Sequence, residues 1–96
     1  MRYDIIFSRE AANDFKKLSA RERATIIDAI EQHLRYEPGK VSKSRIKRLR
    51  DMEHPQYRLR VGEIRVFYDI QEETVEVLAI VPKSRAAEWL EDVGEH

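Results

Sequence analysis

The sequence contains no cysteine, and this absence excludes disulfide bonds, cysteine-ligated zinc sites and thiol nucleophiles from its chemistry. It also lacks any apolar run near the ~18 residues that a membrane-spanning helix needs. A secretory signal peptide is not expected, because Arg2 and Asp4 interrupt the first apolar residues. These absences predict a cytoplasmic protein that does not contact a membrane.

The chain is too short for more than one core. Its 96 residues correspond to one small domain, so we expect residues 1–96 to fold as a single unit. Apolar residues make up 42% of the sequence and recur in regular patterns, which is not typical of a disordered chain. No internal repeat or long linker interrupts these patterns.

The sequence has no net charge, but its charges are unevenly distributed. Residues 40–65 hold nine basic and three acidic residues, whereas residues 66–96 hold two basic and eight acidic ones. The fields of separate patches stay distinct, because the Debye length is about 8 Å at physiological salt. The basic segment is therefore either a polyanion-binding surface or a solvated face balanced by the acidic C-terminal part.

The first half of the sequence predicts a strand followed by two helices. Residues 2–7 alternate in polarity and favour a strand. Ser8 is a candidate helix cap, and Ser19 with Glu22 forms a capping box that starts a second helix. This helix must end before Pro38, because proline disfavours the helical conformation for the residue ahead of it. The apolar stripe of the second helix is predicted to comprise Ala24, Ile27, Ile30 and Leu34.

A two-residue turn at Gly62 and Glu63 sets the register of the next two strands, because a type II′ hairpin needs glycine at its first central position. This register places six residues on one apolar face: Tyr57, Leu59, Val61, Ile64, Val66 and Tyr68. A further strand is expected over about residues 74–81. Four of its residues are expected to join this core: Val75, Val77, Ala79 and Val81. A short helix around residues 84–92, anchored by Trp89 and Leu90, completes the chain. The expected fold class is α+β, with an N-terminal strand, a helical hairpin, an antiparallel sheet of about three more strands and a C-terminal helix.

The same register gathers three arginines on the opposite face of the sheet. Arg58, Arg60 and Arg65 share this face, and Arg60 lies directly opposite Arg65. Like charges in opposed positions destabilise a sheet by up to about 1 kcal/mol, so an anion held between the two guanidiniums is one explanation. Phosphate is the best candidate, because its oxygens match the geometry of the guanidinium donors. The alternative is an ordinary surface ion network, with counter-charges from Glu63, Asp69 or Glu76.

Three apolar residues, Phe67, Leu78 and Ile80, are expected on the arginine face as well. Stacking on an aromatic ring is worth about 1–3 kcal/mol per base, so Phe67 is a candidate base contact. The alternative is that the C-terminal helix or a partner covers these residues, and we favour it for Leu78 and Ile80. Both interpretations stay open for Phe67.

Nothing in the sequence predicts a metal or cofactor. The three histidines are His33 on a predicted helix, His54 beside Pro55 in a turn, and the terminal His96. No carboxylate pair, nucleophile triad or glycine-rich phosphate loop can be recognised.

The segment Tyr57-Arg-Leu-Arg-Val-Gly-Glu-Ile-Arg-Val-Phe-Tyr68 combines a basic strand, a turn and an Arg-Val-Phe-Tyr strand. A short basic-leucine element, Lys47-Arg48-Leu49-Arg50, precedes it. With the order of the predicted elements, these segments resemble the RelE/ParE superfamily of toxins from type II toxin–antitoxin systems. The resemblance covers nearly the whole chain and implies a RelE-like fold, with a cognate antitoxin as partner in a hetero-oligomer.

The resemblance also implies an activity. RelE-type toxins cut mRNA in the ribosomal A site: the ribose 2′-hydroxyl attacks the neighbouring phosphate, which leaves a 2′,3′-cyclic phosphate and a 5′-hydroxyl. By position, Arg58 and Arg60 match basic residues near the 2′-hydroxyl and phosphate, and Arg65 matches the arginine that stabilises the charged transition state. Lys83 or Arg85 lies near the position of the basic residue that assists the leaving group. The resemblance and the charge pattern together suggest RNA contacts by Lys43, Lys47, Arg48, Arg50, Phe67 and Lys83.

Two positions depart from the pattern of the family. Arg60 stands where some RelE-like toxins have a lysine, and a guanidinium is too basic to act as a general base. Near the C-terminus, Trp89 and Leu90 lie where a tyrosine or histidine is common. The identity of a general base is therefore open.

The leading hypothesis is a ribosome-dependent mRNA endonuclease that inhibits translation, with the antitoxin, the ribosome and mRNA as partners. A ParE-like toxin of the same fold would instead bind DNA gyrase and have no ribonuclease activity. A third alternative is a weakly active binding module that acts mainly in a complex of antitoxin and operator DNA.

Overall fold

The computed structural model describes residues 1–94, so His96 lies outside the described residues. The elements in chain order are β1 (Asp4–Phe7), α1 (Arg9–Lys16), α2 (Ala20–His33), β2 (Ile46–Arg48), β3 (Tyr57–Val61), β4 (Ile64–Gln71), β5 (Thr74–Pro82) and α3 (Lys83–Gly94). The predicted α+β class is confirmed, including the N-terminal strand, the helical hairpin and the C-terminal helix. The basic segment contributes β2, so four strands follow the helices instead of about three.

All five strands form one sheet in the order β1-β5-β4-β3-β2. β1 runs parallel to β5, and the other neighbouring strands are antiparallel. The hairpin register is as predicted, with Arg60 opposite Arg65 and Val61 opposite Ile64. Gly62 adopts a φ of 58°, as the first central position of a type II′ turn requires. This turn fixes which side chains of β3 and β4 share a face.

Replacing Gly62 by alanine is expected to lower the free energy of unfolding by about 1 kcal/mol, because an L-residue at this positive φ is strained. A Cβ at this position would meet no atom within 4 Å, so the effect comes from the backbone alone. Urea denaturation measures the loss. The matched control is Gly39→Ala, whose Cβ would make ordinary contacts at 3.5 and 3.6 Å. Equal losses in the two variants would contradict the assignment of the turn.

Helices α1 and α2 cover the face of the sheet that carries the apolar residues of β3 and β4. Both predicted helix starts are confirmed: the Ser8 hydroxyl accepts from the Ala11 N–H, and Ser19 and Glu22 make both bonds of the capping box. The buried core includes Ala11, Ile26, Ile30, Leu34, Leu59, Val66, Tyr68, Val75 and Val77. The predicted apolar face of the hairpin is therefore the face that packs against the helices.

The predicted apolar stripe of α2 is wrong at two of its positions. Ala24 is exposed and Ile27 is 42% exposed, whereas Ile26 and Ala29 are buried. Adjacent isoleucines allow two overlapping stripes that differ by about 100° around the helix axis. The sequence does not distinguish them, because packing against β3 selects the buried one.

A β-bulge in β5 changes the orientation of the residues that follow it. Tyr68 pairs with Val77, but Phe67 pairs with Ala79, so Leu78 is an extra residue without a partner in β4. Side chains alternate between the two faces along a strand, and one extra residue exchanges the faces of all later residues.

The predicted positions of Ile80, Ala79 and Val81 are wrong for this reason. Ile80 is 3% exposed in the core, whereas Ala79 and Val81 lie on the arginine face. At this point along β5, α1 takes over from β1 as the neighbouring element. There the Ile80 N–H donates to the Asp14 carboxylate of α1 at 2.9 Å.

α3 lies across the arginine face and contacts β4 and β5. Its Trp89 ring stacks on Phe67, with ring centroids 4.7 Å apart and planes at 18°. The Trp89 indole N–H also donates to the Glu10 carboxylate of α1 at 2.7 Å. The Lys83 N–H donates to the Glu63 carbonyl at 2.7 Å, which places the start of α3 beside the hairpin turn. Within residues 1–94, no helix is long and apolar enough to cross a bilayer.

Candidate functional site

Arg58, Arg60 and Arg65, here called the arginine cluster, lie on one face of β3 and β4 as predicted. The three side chains differ in burial: Arg60 is exposed, Arg58 is half-buried, and Arg65 is only 6% exposed. The cluster therefore extends from solvent into the protein, between the sheet and the layer that contains α3.

The arginine cluster has no acidic partner in the part of the chain that the structure describes. No carboxylate oxygen of residues 1–94 lies within 4.0 Å of its guanidinium nitrogens. Asp69, one of the predicted counter-charges, binds His54 at 2.6 Å and the Gln56 N–H at 2.7 Å instead. The ordinary ion network is thus not formed, and the cluster keeps its positive charge.

Arg65 is held by backbone carbonyls. Its Nη1 donates to the Gly62 carbonyl at 2.8 Å and to the Ile64 carbonyl at 3.1 Å. Burial, followed by the charges of Arg58 and Arg60, lowers the pKa of Arg65 from its usual value, and Glu63 acts in the opposite direction. A buried cation beside other cations is unfavourable, so a bound anion would stabilise this arrangement.

Arg58 has one buried donor atom without a partner. Its Nε is buried and makes no hydrogen bond within the described residues. An unsatisfied buried donor on a charged group costs about 1–3 kcal/mol or more. An acceptor that binds this atom, from a ligand or from water, would remove the cost.

The four basic residues expected to contact RNA from the segment before β3 are all exposed, but they do not form one surface. Lys47 pairs with Arg58 across β2 and β3 and so shares the arginine face. Arg48 lies over the Tyr57 ring, 5.0 Å from its centroid, on the other face. Lys43 and Arg50 flank β2 in irregular segments. Only Lys47 is therefore placed by strand register beside the arginine cluster.

Lys83 and Arg85 are both exposed, and they lie in different surroundings. Lys83 begins α3 beside the hairpin turn, at the end of the sheet that carries Arg65. Arg85 lines a groove between α1 and α3, together with Glu10 and Glu88. Of these two residues, Lys83 is closer to the turn that holds Arg65.

Phe67 is fully buried beneath Trp89. The expectation that Phe67 contacts RNA does not fit the structure, because the face of its ring is already occupied by the indole. Of the two interpretations left open for Phe67, the structure agrees with the second, in which the C-terminal helix covers the residue.

One contact between polar side chains near the arginine face was not predicted from the sequence. His54 Nδ1 lies 2.6 Å from the Asp69 carboxylate, and the His54 side chain is 63% exposed. Extending the predicted register by one position puts Gln56 opposite Asp69, which could have signalled that the turn at His54 approaches this strand. Within residues 1–94, no three His, Cys, Asp or Glu side chains are grouped as a metal site requires.

Comparison with known proteins gives a family match and several structural matches. The family model described as ParE toxin of type II toxin-antitoxin system, parDE, matches residues 5–87. A search of curated protein sequences gives no match.

The structural matches are with toxin–antitoxin proteins. A chain of the toxin-antitoxin complex RelBE2 from Mycobacterium tuberculosis is 27% identical, with a TM-score of 0.73 over 85% of this chain and 99% of that one. The archaeal RelE-RelB complex from Pyrococcus horikoshii gives a TM-score of 0.71 at 22% identity, over 88% of this chain and 99% of that one. A double mutant of the E. coli toxin RelE in the free state gives a TM-score of 0.59 at 18% identity, over 97% of this chain and 96% of that one. The last two matches show a shared fold.

Proposed function

The chain belongs to the ParE toxin family of type II toxin–antitoxin systems. Because its arginine cluster is suited to bind an RNA phosphate, we propose that within this family it acts as RelE-type toxins do and inhibits translation by cutting mRNA on the ribosome. Because RelBE2 and the archaeal RelE-RelB protein are complexes of toxin and antitoxin, we further propose an antitoxin as its partner. Its site of action is then the cytoplasm, where ribosomes translate.

The observation that carries this proposal is the arginine cluster without acidic partners in residues 1–94. Three guanidiniums on one sheet face, one of them buried, form a site for a polyanion. Guanidinium donors match phosphate oxygens in geometry and charge. The phosphate backbone supplies most of the affinity of nucleic-acid complexes, so this surface is suited to bind it.

The proposed reaction makes direct use of these cations. When the ribose 2′-hydroxyl attacks the adjacent phosphate, negative charge accumulates on the non-bridging oxygens. Arg58 and Arg60 would bind the phosphate, and Arg65 would stabilise the charge that develops in the transition state. The backbone carbonyls that hold Arg65 orient it before the substrate arrives. Lys83, or Arg85 if it turns toward the sheet, would assist departure of the 5′-oxygen.

Toe-printing on translating ribosomes tests the proposed function. The purified chain is expected to cut a defined mRNA in the A site and to leave 2′,3′-cyclic phosphate and 5′-hydroxyl ends. The same mRNA without ribosomes serves as the control and is expected to stay intact. Intact mRNA on the ribosome, together with inhibition of DNA supercoiling by gyrase, would contradict this function and support the ParE-like alternative.

A further inference from the structure

Lys47 extends the arginine cluster onto a third strand. It is the register partner of Arg58 across β2 and β3, and it is exposed on the arginine face. Side chains in directly opposed positions of antiparallel strands have Cβ atoms about 5 Å apart. Strand pairing therefore places this lysine beside Arg58, and the proposed reaction does not use it.

The four cations form two rows across the strands. Arg60 opposes Arg65 in the row nearer the hairpin turn, here called the turn row. Lys47 opposes Arg58 in the next row, here called the second row. Arg58 and Arg60 are two residues apart on β3, and two residues along a strand span about 7 Å on the same face. The spacing of the two rows is therefore similar to the spacing of consecutive phosphates in an extended RNA strand.

The two rows are close enough for their charges to interact. Burial, and then the charges of Arg58 and Arg60, lower the pKa of Arg65. Within residues 1–94, no carboxylate oxygen lies within 4.0 Å of the side-chain nitrogens of the four cations. A single phosphodiester has only one negative charge and leaves most of this positive charge unbalanced. A second phosphate on the second row would balance more of it.

The path from the turn row to the second row runs away from α3. Trp89 of α3 covers Phe67, which is the partner of Arg58 on β4. Lys47 lies on the opposite side of Arg58, on the edge strand β2. An RNA strand that follows β3 from one row to the next can therefore reach the exposed lysine without crossing the helix.

Arg58 has donors for more than one phosphate. A guanidinium presents its N–H donors in a planar fork, so one arginine can bind two acceptors. One of these donors, the Nε of Arg58, is buried and makes no hydrogen bond within the described residues. Arg58 can thus contact the phosphate of the turn row and the phosphate of the second row together.

The position of Lys83 sets the direction of the RNA strand. Its N–H donates to the Glu63 carbonyl, so it lies at the hairpin-turn end of the face. In the proposed reaction it assists departure of O5′, which belongs to the nucleotide on the 3′ side of the cut. The 3′ part of the RNA therefore lies toward the turn, and the second row faces the 5′ part.

From this geometry we propose that Lys47 and Arg58 bind the phosphate on the 5′ side of the scissile phosphate, so that the site takes RNA with two consecutive phosphates. The inference rests on the proposed endonuclease function for the direction of the strand, but not for the binding of two phosphates. Lys47 is then a positioning residue: it does not touch the scissile phosphate, and it fixes the nucleotide whose 2′-hydroxyl attacks.

Single-turnover cleavage on the ribosome tests the role of Lys47. Three mRNAs are compared: an unmodified one, and two in which an uncharged methylphosphonate replaces the phosphate on the 5′ or on the 3′ side of the cut. Lys47→Ala is expected to cut the unmodified mRNA about 5-fold more slowly at subsaturating toxin, as is usual for one exposed ion pair. The variant and wild type should cut the 5′-modified mRNA equally, because the charge that Lys47 binds is absent. On the 3′-modified mRNA they should again differ about 5-fold.

The matched control is Lys16→Ala, which removes an exposed lysine at the end of α1 and should cut all three mRNAs as wild type does. A general loss of folding in Lys47→Ala would slow the cutting of all three mRNAs equally, and this result would overturn the inference. Equal cutting of the unmodified mRNA by Lys47→Ala and wild type would overturn it too, and both results leave the proposed function intact.

Binding without the ribosome separates the two phosphate sites from the proposed function. The probes are a 2′-O-methyl trinucleotide with two phosphates and a 2′-O-methyl dinucleotide with one, which cannot be cut because the attacking hydroxyl is blocked. In NMR titrations the wild-type chain should bind the trinucleotide about 5-fold more tightly than the dinucleotide, and Lys47→Ala should bind both alike. The dependence of log Kd on log salt for the trinucleotide should be weaker by about 0.7 in Lys47→Ala, the value for one phosphate contact on a single strand.

The outcomes of the binding experiment are distinct. Equal affinity of Lys47→Ala and wild type for the trinucleotide would overturn the inference. If the wild-type chain binds the trinucleotide as expected but cuts no mRNA on the ribosome, the proposed function and the direction of the strand are overturned, and the two phosphate sites are supported.

Discussion

Replacing Arg65 by alanine is expected to lower the rate of ribosome-dependent mRNA cleavage by about 10³-fold. Arg65 is the most buried cation of the arginine cluster, and its Nη1 is fixed by two backbone carbonyls. A donor oriented in this way needs little reorganisation when charge develops on the phosphate, so its loss acts mainly on the transition state. The measurement is the single-turnover rate from toe-printing.

The loss should appear in kcat more than in KM, because Arg60 is exposed and can still bind the phosphate. The matched control is Arg21→Ala, which removes an exposed arginine from α2 and should cleave normally. Arg65→Lys keeps the charge but loses the planar fork, so we expect it to recover only part of the rate. Equal cleavage by Arg65→Ala and wild type would contradict the role of Arg65 in the transition state.

Folding stability need not follow activity in the Arg65→Ala variant. The change removes two hydrogen bonds to carbonyls, and it also removes a buried cation next to Arg58 and Arg60. These effects have opposite signs, so the free energy of unfolding should change by less than about 1 kcal/mol. A large loss of activity with little loss of stability would distinguish a functional arginine from a structural one.

The parts of the fold that depend on local chemistry could be predicted from the sequence. Ser8, the box of Ser19 and Glu22, and the hairpin turn at Gly62 each act within four residues, and all are formed as expected. The turn alone sets the pairing of β3 with β4, and with it the positions of the three arginines. Local signals of this kind determine the site more completely than they determine the core.

Features that depend on contacts between distant segments could not be predicted. The bulge at Leu78 arises where α1 replaces β1 beside β5, and no residue near Leu78 signals it. The same limit applies to α2, where either Ile26 or Ile27 could face the sheet. In each case the sequence allows two local solutions and the packing selects one.

The candidate site also has features that the sequence predicts and features that it does not. Its residue types and their common face follow from the strand pattern, but the missing counter-charges do not. The sequence allowed Asp69 to act as a counter-charge for the arginines. In the structure its carboxylate binds His54 and the Gln56 N–H instead. Whether a carboxylate neutralises a cation depends on a few ångströms of side-chain placement, which alternation along a strand does not encode.

Phe67→Ala is expected to give the largest loss of stability, about 3–5 kcal/mol in the free energy of unfolding. The ring is fully buried, and Trp89 stacks on it with centroids 4.7 Å apart, so its removal leaves a cavity between the sheet and α3. For a domain of this size each kcal/mol corresponds to about 4–8 °C, so the melting temperature should fall by at least about 12 °C.

The matched control for this prediction is Phe67→Leu, which fills most of the volume and should lose less than about 2 kcal/mol. A double-mutant cycle with Trp89→Ala should show coupling of about 0.5–1.5 kcal/mol, the usual value for an aromatic pair. If Phe67 instead stacks on a base, Phe67→Ala would melt near the wild-type temperature and bind RNA more weakly.

Because Ala79 shares this face and is also fully buried, α3 has an apolar surface to cover in addition to Phe67. The hydrophobic burial of this ring, rather than its affinity for RNA, therefore explains why an aromatic residue stands beside the arginines.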